Sequence, residues 1–282
     1  MVMGIRRRLL HHIIGRPTPS TPTPTPTPAP APRRRSSVTI ADYVLLHREL
    51  AVLQPEHLAP TLRAALADGR PEALRAIFDE VHPDIFAFRP LTDAWRQMLL
   101  EEVIHFEGWL LETGCRHDPP NSMNSYGVVL DEIGLQPALS ALTAQCIRPV
   151  AAQLLPEVGA ALDSHHGFAV EYRPGADVEL GFHVDASDVT LNLCLGSSFS
   201  GGELYFEGRR CAEHRQTGCA SSDRFIWPHT PGLALLHAGK HRHGALPITA
   251  GERMNLILWA RSGPLTDEPE GCPEWCARSM RR

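Results

Sequence analysis

The motif with the clearest chemical potential is His183-Val184-Asp185. In an extended strand alternate side chains leave the same face, so His183 and Asp185 can converge on one ion. Two histidines and one carboxylate form the three-ligand face of an octahedral iron(II) site, which leaves the other positions open for an oxo-acid and dioxygen. The motif therefore predicts an oxygen-activating iron site, provided that a later histidine supplies the third ligand.

A second copy of the motif, His82-Pro83-Asp84, shows that the pattern is weak evidence by itself. β-rich runs follow His183, whereas IFAFRP and a long helical pattern follow His82, which places His82 between two helical segments. We interpret the second copy as a surface turn with the restricted backbone of a residue before proline. His183 and Asp185 remain the predicted ligands.

Three histidines in the segment HAGKHRHGALPITAGER could supply the third ligand: His237, His241 and His243. A dicarboxylate co-substrate needs a fixed cation one strand beyond the last ligand, and the bidentate fork of arginine serves best. Arg253 follows His243 by ten residues, across the turn at 247–251. The spacing favours His243, but arginine is so frequent in this chain that the pairing needs independent support.

That support comes from several segments taken together. The runs H-x-D, TLNL, GGELYF and HGALPITAGERMNLILW follow in the order found in the iron(II) and 2-oxoglutarate dioxygenases of the prolyl and lysyl hydroxylase superfamily, which the chain resembles. The resemblance is closer to the family of 2-oxoglutarate and iron-dependent oxygenase domain-containing protein 2, which also matches PPNSMNSYGVVLDEIG, LDSHHGFAVEYRPGADVELGFHVDASDVTLNL and CPEWC. The similarity runs from about residue 119 to the C-terminus.

The resemblance implies site residues and a reaction. Iron(II) would be held by His183, Asp185 and His243, and 2-oxoglutarate by Arg253. The reaction would be hydroxylation with release of succinate and carbon dioxide, and ascorbate would be a further cofactor.

Two more residues could reach a carboxylate of the co-substrate: Tyr172, on the strand before His183, and Asn192, within TLNL. Ordinary lining roles for both remain open, since buried polar groups simply need partners.

The retained carboxylate and the substrate class refine the expected reaction. Asp185 favours hydroxylation over halogenation, because related halogenases replace this ligand with a small residue that admits chloride. We expect a protein side chain as substrate first and a small molecule second. Two other classes stay open: a catalytically silent jelly-roll binding module, and a cupin-like hydrolase or isomerase, which would not need Arg253.

Several other polar residues are interpreted as ordinary parts of the fold. We expect surface or structural roles for four histidines: His165, His166, His229 and His241. Gly201-Gly202 is interpreted as a tight turn, because no helix follows it to make a phosphate loop. Glu203 and Glu207 are expected at solvated strand positions.

A helical layer followed by β-strands must position these residues. From Thr39 to Pro156 the pattern is helical: apolar residues recur at three- and four-residue steps behind Thr92, a predicted N-cap, and a second helix is predicted from Gln136 to Leu155. After Gly159, short β-rich runs are bounded by glycine, proline and aspartate. These patterns predict an α+β fold in which N-terminal helices back a jelly-roll core, the double-stranded β-helix that the resemblance also implies.

We divide the chain into four segments: a basic, Pro-Thr-rich tail (1–38), a helical N-terminal region (39–157), the dioxygenase jelly-roll (158–264) and a C-terminal tail (265–282). The alternation PTPSTPTPTPTPAPAP cannot form helix or sheet ladders and is expected to be an extended linker. The acid-free, basic stretch before it has the composition of an organelle transit peptide. Targeting by residues 1–35 and an unstructured terminus both remain open.

Charge and hydropathy narrow the classes of partner. Residues 1–41 hold seven arginines and no acid, so the net charge of −5 leaves the rest of the chain at −12. Such an acidic body lacks the basic surface of a nucleic-acid binder. The longest apolar runs fall far short of the ~20 residues of a membrane span. We expect neither nucleic acid nor a membrane as a partner, and we expect an intracellular, cytoplasmic protein.

The seven cysteines form an odd, scattered set without C-x2-C spacing. This argues against a disulfide framework and against a structural zinc site, and it favours a reducing compartment. Cys272 and Cys276 are the one notable pair. We interpret them as two thiols of the tail, because zinc needs more ligands nearby.

Overall fold

Antiparallel strands dominate the structure, a computed structural model in which residues 38–196, 198–263 and 271–280 are described. The strands are β1 (Asp79–His82), β2 (Ile85–Phe88), β3 (Gly127–Val129), β4 (Ser164–Tyr172), β5 (Leu180–His183), β6 (Val189–Gly196), β7 (Phe199–Gly201), β8 (Leu204–Arg209), β9 (Arg224–Trp227), β10 (Ala234–Ala238), β11 (His241–Ala245), β12 (Ile248–Gly251) and β13 (Arg253–Arg261). A major sheet has the order β1-β2-β10-β6-β13-β4-β3, a minor sheet has the order β5-β11-β8-β9, and β7 pairs with β12. The two larger sheets share a core, so the predicted jelly-roll and the α+β class are confirmed.

Six of the described α-helices cover the outer face of the major sheet: α1 (Pro60–Asp68), α2 (Pro71–Arg75), α3 (Asp93–Thr113), α4 (Gln136–Leu142), α5 (Arg148–Leu154) and α6 (Pro156–Gly159). A further helix, α7 (Glu274–Met280), packs against β8 of the minor sheet. Two π-helical turns, Asp131–Leu135 and Thr143–Ile147, precede α4 and join it to α5. The helix predicted from Gln136 to Leu155 is therefore present as one run with a π-helical segment inside it.

The long helix α3 begins and ends at the residues that its local chemistry predicts. The hydroxyl oxygen of Thr92 accepts a hydrogen bond from the backbone N–H of Trp95 at 3.3 Å, which confirms the N-cap. The helix ends before Gly114, whose φ of 66° is in the left-handed region that glycine adopts easily. Leu99 and Phe106 are buried with Trp95 in the core that the helices share with the sheet.

The central strands of the major sheet are buried on both faces, which explains their continuous apolar runs. In β13, Leu256 and Leu258 belong to the core shared with the helices, whereas Ile257 belongs to the core between the two sheets. Successive side chains of a strand point to opposite faces. Arg253 and Asn255 therefore lie on the inner face with Ile257, in the interior of the jelly-roll.

The N-terminal region contains strands that its sequence pattern did not predict. The run IFAF, interpreted as leading from a surface turn toward a helix, forms β2 and pairs with β10. It makes a hairpin with β1, so the placement of His82 between two helical segments was wrong. Every residue of β2 is buried, with Phe86 and Phe88 in one core and Ile85 and Ala87 in the other. Burial on both faces hides the alternation by which a strand is recognised.

The jelly-roll consequently draws on both sides of the predicted boundary at residue 157, because β1, β2 and β3 all join the major sheet. The predicted linker and transit peptide lie outside the described residues. In the predicted C-terminal tail, the described residues 271–280 contain α7. No described helix combines the length and the apolar character needed to cross a membrane.

Candidate metal and co-substrate site

Two neighbouring strands bring together the three residues that were predicted to bind iron. His183 of β5 lies directly opposite His243 of β11, and their ring centroids are 4.3 Å apart. Asp185 follows β5 by two residues and reaches the same point. Its Oδ1 lies 3.4 Å from Nε2 of His183, and its Oδ2 lies 3.7 Å from Nε2 of His243. The strand register thus joins residues that are sixty positions apart in the chain.

Backbone carbonyls orient both imidazoles. Nδ1–H of His183 donates to the carbonyl oxygen of Gly181, and Nδ1–H of His243 donates to that of His241, each at 2.8 Å. A carbonyl oxygen only accepts, so each Nδ1 carries the proton and each Nε2 keeps a free lone pair. Histidines that ligate metals are held in the same way by a partner of the other ring nitrogen.

A short hydrogen-bond chain fixes the carboxylate of Asp185. Oγ1 of Thr190 donates to its Oδ2 at 2.6 Å, and Oγ of Ser187 lies 2.8 Å from Oγ1 of Thr190. The backbone N–H of Asp185 donates to the carbonyl oxygen of Gly239, in the turn between β10 and β11, at 2.9 Å. A Cβ at Gly239 would lie 2.1 Å from the carbonyl oxygen of Ser187, so only glycine fits this close approach.

Burial and mutual proximity set the protonation states of the three residues. Burial lowers the pKa of His243 to about 3, so this imidazole is neutral at neutral pH. Burial would raise the pKa of Asp185, but the neighbouring His243 and His183 hold it below its usual value. Burial lowers the pKa of His183, while the hydrogen bond and charge of Asp185 more than offset this and raise it. An ionised carboxylate next to a neutral imidazole is ready to bind a metal ion.

The three donors fit a divalent metal ion. Oxygen and nitrogen ligands about 2.1 Å from an octahedral ion lie about 3 Å apart on one face. All three ligand atoms lie within 4.8 Å of one another, so only a small closing movement is needed. The structure thus contains a His-Asp-His triad of the kind that binds iron(II) and leaves one side of the ion open.

Arg253 is a buried cation on the inner face of β13, with 1% of its surface exposed. Its guanidinium donates to the carbonyl oxygen of Gly202 and lies 4.5 Å from the ring centroid of Tyr172, its cross-strand neighbour. Within the described residues no carboxylate forms an ion pair with Arg253, and its Nε–H has no hydrogen-bond partner. A buried charge without a counter-ion is costly. The site therefore fits an anion, and a carboxylate suits the guanidinium fork best.

The turn at Gly201-Gly202 explains how a carbonyl oxygen reaches Arg253. Both glycines have positive φ, 76° and 73°, and the predicted tight turn is confirmed. A Cβ at Gly202 would lie 2.9 Å from Nη1 of Arg253. The glycine pair thus gives the guanidinium room to lie against the backbone.

Tyr172 lies in the same cleft as the triad and Arg253. Nδ2 of Asn124 donates to the phenolic oxygen of Tyr172 at 3.1 Å, which leaves the phenolic proton for another acceptor. Burial raises the pKa of Tyr172, so the phenol stays protonated. It can donate to a co-substrate carboxylate, as its position in the sequence suggested.

Asn192 also lines this cleft, where it belongs to an amide network. Its Oδ1 accepts a hydrogen bond from Nδ2 of Asn255 at 2.6 Å. Nδ2 of Asn255 also lies 3.3 Å from Nδ1 of His229, and burial lowers the pKa of His229 well below its usual value. Oδ1 of Asn255 has no partner among the described residues. Asn192 therefore positions Asn255, which offers a free polar atom to the cleft.

Sequence reasoning missed Thr190, Asn124 and Asn255. The signal for Asn255 was present, because alternation along β13 puts it on the same face as Arg253. Thr190 stands in TLNL two positions before Asn192, so the same rule applies. Asn124 gave no signal, since it lies in a loop and meets Tyr172 only in the folded chain.

Five other histidines have structural contacts. Nε2 of His82 lies 3.0 Å from the carbonyl oxygen of Ser222, away from the triad. His237 is fully buried, and its Nδ1–H donates to the carbonyl oxygen of its neighbour Ala238 at 2.9 Å. His241 is buried, with its ring edge against Phe206. Nε2 of His165 lies 3.0 Å from Oδ1 of Asp131, and Nε2 of His166 lies 3.1 Å from the carbonyl oxygen of Pro120.

Glu203 and Glu207 are half-buried, so their expected solvation is only partial. Glu203 directly follows the glycine turn, and its charge acts on Arg253 from beyond ion-pair distance. Glu207 lies beside Arg224 on the neighbouring strand β9, 3.8 Å away.

A second group of potential ligands lies outside this cleft. We call it the thiol cluster, and it consists of Cys211, His214, Cys272 and Cys276. Their Sγ and imidazole nitrogen atoms all lie within 4.8 Å of one another. The premise that no further ligands lie near Cys272 and Cys276 was wrong, because the fold brings the C-terminal segment against residues that follow β8.

Comparison with known proteins yields a family model and several relatives. The model, described as an OGFOD2-like domain, matches residues 39–160. The 2-oxoglutarate and iron-dependent oxygenase domain-containing protein CP2 of Arabidopsis thaliana is 44% identical over 240 residues, which cover 83% of this chain and 61% of that protein. The 2-oxoglutarate and iron-dependent oxygenase domain-containing protein 2 of Xenopus tropicalis is 35% identical over 243 residues, covering 83% of this chain and 67% of that protein.

A more distant similarity concerns the multifunctional procollagen lysine hydroxylase and glycosyltransferase LH3 of Rattus norvegicus. It is 29% identical over 183 residues, which cover 62% of this chain and 23% of that protein. The chain also spans only 61% of the length of the Arabidopsis relative.

Proposed function

This chain belongs to the family of 2-oxoglutarate and iron-dependent oxygenase domain-containing protein 2, and we propose that it is an iron(II)- and 2-oxoglutarate-dependent dioxygenase. The observation that carries the proposal is that one cleft is lined by the His-Asp-His triad and by the buried Arg253, which forms no ion pair with any carboxylate of the described residues. The triad alone would suit many metal enzymes. A metal site with a buried cation at its side suits a bidentate acid with a second, distal carboxylate.

In the proposed enzyme, His183, Asp185 and His243 hold iron(II), and Arg253 binds the distal carboxylate of 2-oxoglutarate. With dioxygen as the oxidant, bound iron(II) and 2-oxoglutarate would supply the oxidising chemistry: one oxygen atom would enter a C–H bond of the substrate and the other would enter succinate, which is released with carbon dioxide. The residues of this chain hold the metal ion and the co-substrate in position.

Each residue has a task that follows from its contacts. Thr190 holds the carboxylate of Asp185, and the carbonyl oxygens of Gly181 and His241 keep the imidazoles turned toward the ion. The ring of Tyr172 packs against the guanidinium of Arg253, and its phenolic proton is available to the distal carboxylate of 2-oxoglutarate. The apolar lining next to them, including Ile257 and Leu204, excludes water from the co-substrate.

We propose a protein side chain as the substrate, with hydroxylation as the outcome. The support is the similarity to a procollagen lysine hydroxylase and the presence of the carboxylate of Asp185, where related halogenases have a small residue. A small-molecule substrate is the second candidate. Mass spectrometry of a cell lysate incubated with wild-type enzyme or the Asp185→Ala variant would test the choice: protein peptides that gain one oxygen atom only with wild type support it, and gains confined to small molecules contradict it.

The proposed location is intracellular and cytoplasmic. All seven cysteines are free thiols, which suits a reducing compartment. Ascorbate stays a prediction, which an assay of product formation with and without ascorbate would test.

The central experiment loads purified protein with iron(II) without oxygen and titrates 2-oxoglutarate, following the visible charge-transfer band of the chelate. His183→Ala should lose the band, because one ligand is missing. Arg253→Ala should need about 30-fold more 2-oxoglutarate or more, because truncation of one partner in a buried charge pair costs 2 kcal/mol or more. Arg224→Ala is the matched control, since Arg224 is exposed on β9 and lies outside the cleft.

Two outcomes would contradict the proposal. If wild type binds iron and shows no band, the chain is a silent binding module or a metal hydrolase. If Arg253→Ala titrates like Arg224→Ala, the co-substrate carboxylate is bound elsewhere.

A further inference from the structure

The thiol cluster joins two distant parts of the chain. Cys211 precedes a short 3₁₀ turn after β8 and His214 is the last residue of that turn, so the two are spaced C-x2-H. Cys272 and Cys276 are spaced C-x3-C at the start of α7. Cys211 and Cys276 are buried, His214 is half-buried and Cys272 is exposed. The exposed edge gives an ion a path to the cluster, while the buried edge protects it from water.

The distances suit a tetrahedral ion. Zinc with sulfur and nitrogen ligands at about 2.1–2.3 Å has its ligand atoms about 3.5–3.8 Å apart. Nδ1 of His214 lies 3.2 Å from Sγ of Cys211 and 3.8 Å from Sγ of Cys276. Three sulfurs and one imidazole nitrogen are a usual ligand set of structural zinc sites.

A backbone contact indicates that one of the sulfurs acts as an acceptor. The backbone N–H of Cys211 points at Sγ of Cys276, 3.4 Å away. Hydrogen bonds of this kind stabilise the thiolate form that a metal requires.

The C-terminal segment that contains Cys272 and Cys276 needs contacts that hold it on the jelly-roll. The helix α7 has seven residues, and isolated helices of this length are not stable in water. Trp275 packs on the guanidinium of Arg209 in β8, with 4.1 Å between the guanidinium carbon and the ring centroid. A metal bound beside this contact would fasten α7 to β8 at a second point.

A disulfide would use the cluster less completely. It would join two of the sulfurs and leave a third thiol and an imidazole beside them. All three cysteines are free in the structure. Four convergent donors are explained better by one ion that binds them all.

We propose that the thiol cluster binds one structural zinc ion, which fixes the C-terminal helix on the jelly-roll. This site is separate from the triad and does not depend on the proposed oxygenase activity. The sequence pattern concealed it, because neither C-x2-H nor C-x3-C is a complete zinc motif and 57 residues separate the two pairs.

The test measures zinc in the full chain, purified under reducing conditions and carrying His183→Ala, so that zinc at the triad does not contribute. Elemental analysis should find about one zinc ion per chain. Cys276→Ser should reduce the content to near zero, and so should Cys272→Ser, which changes an exposed residue and leaves the core intact. Cys272→His should restore zinc, since imidazole can replace a thiolate. Cys219→Ser is the matched control, because Cys219 lies outside the cluster.

Cobalt(II) provides a spectroscopic signature that a merely structural role of the cysteines would not give. The same His183→Ala protein should show thiolate-to-cobalt charge transfer and strong tetrahedral visible bands, absent in Cys272→Ser and present in Cys219→Ser. Zinc content that is unchanged in both cluster variants would overturn the proposal. The proposal would also be overturned by a disulfide between cluster cysteines in protein from reducing cells. Folded protein that contains no zinc and shows no cobalt absorption bands would overturn it as well.

Discussion

At the scale of single residues, the site depends on side chains that never touch the metal. Thr190 is buried, and its hydroxyl donates to the carboxylate of Asp185 at 2.6 Å. Without it the carboxylate would keep a buried lone pair unsatisfied and could rotate away from the imidazoles. The orientation of the triad's carboxylate therefore depends partly on Thr190 in the TLNL segment of β6.

We expect Thr190→Val to weaken iron(II) or manganese(II) binding about 10- to 100-fold, because partners that orient metal ligands contribute about that much. Thr190→Ser keeps the hydroxyl and should bind the metal like wild type. Competition with a coloured chelator without oxygen measures both affinities. Equal affinities for the valine and serine variants would show that the hydroxyl does not position Asp185.

At the scale of elements, the helix α3 brings a carboxyl group into an acidic neighbourhood. Burial and the charges of Glu171 and Glu252 raise the pKa of Glu107 to about 7 from a usual value of 4.5. A carboxyl whose pKa is raised on folding favours the folded state while it is protonated. The free energy of unfolding should therefore fall as the pH rises from about 4.5 through about 7.

Glu107→Gln should remove this pH-dependent loss. We expect the variant to melt at a higher temperature than wild type at pH 8, with a smaller or no gain at pH 5. Glu112→Gln is the matched control, because Glu112 is exposed near the end of the same helix. Thermal unfolding followed by circular dichroism at both pH values measures the effect, and an equal gain at both would contradict the assigned titration.

Strands and helices of the helical region also show where a pattern misleads. The long helix behind Thr92 was predicted because one face is apolar and the other polar. The strand β2 was not, because all its residues are buried and its period is hidden. The edge strand β1 is half exposed, but it is too short for its own alternation of polar and apolar residues to reveal the hairpin.

At the scale of the whole molecule, the cleft lies between the two sheets, so ligands that fill it should stabilise the entire jelly-roll. In the presence of manganese(II), 2-oxoglutarate at about a hundred times its own dissociation constant should add about 2.7 kcal/mol to the free energy of unfolding of wild type, beyond the effect of manganese alone. The melting temperature should rise accordingly.

The Arg253→Ala variant should lose most of the increase that depends on 2-oxoglutarate, because its affinity for 2-oxoglutarate falls about 30-fold or more, while keeping the part due to manganese alone. Arg224→Ala should behave like wild type. Differential scanning calorimetry with metal alone and with both ligands separates the two parts. A full 2-oxoglutarate response in Arg253→Ala would contradict the role given to this residue.

The sequence by itself predicted the α+β jelly-roll, the helix α3, the ligands His183 and Asp185, and Arg253, with three histidines as candidates for the third ligand. The periodicity of apolar residues, the turn residues and the local motifs are short-range properties, so they can be recognised in the sequence alone. The choice of His243 among three histidines already needed a resemblance, because spacing alone does not define a register.

Only the tertiary structure decided which residues meet. The pairing of β5 with β11 places His183 opposite His243, and the turn at Gly202 brings a carbonyl oxygen to Arg253. The thiol cluster depends entirely on α7 returning to β8, a contact between residues far apart in the chain. Local patterns specify elements, whereas long-range contacts follow from the burial of apolar faces against each other, which no short window of sequence contains.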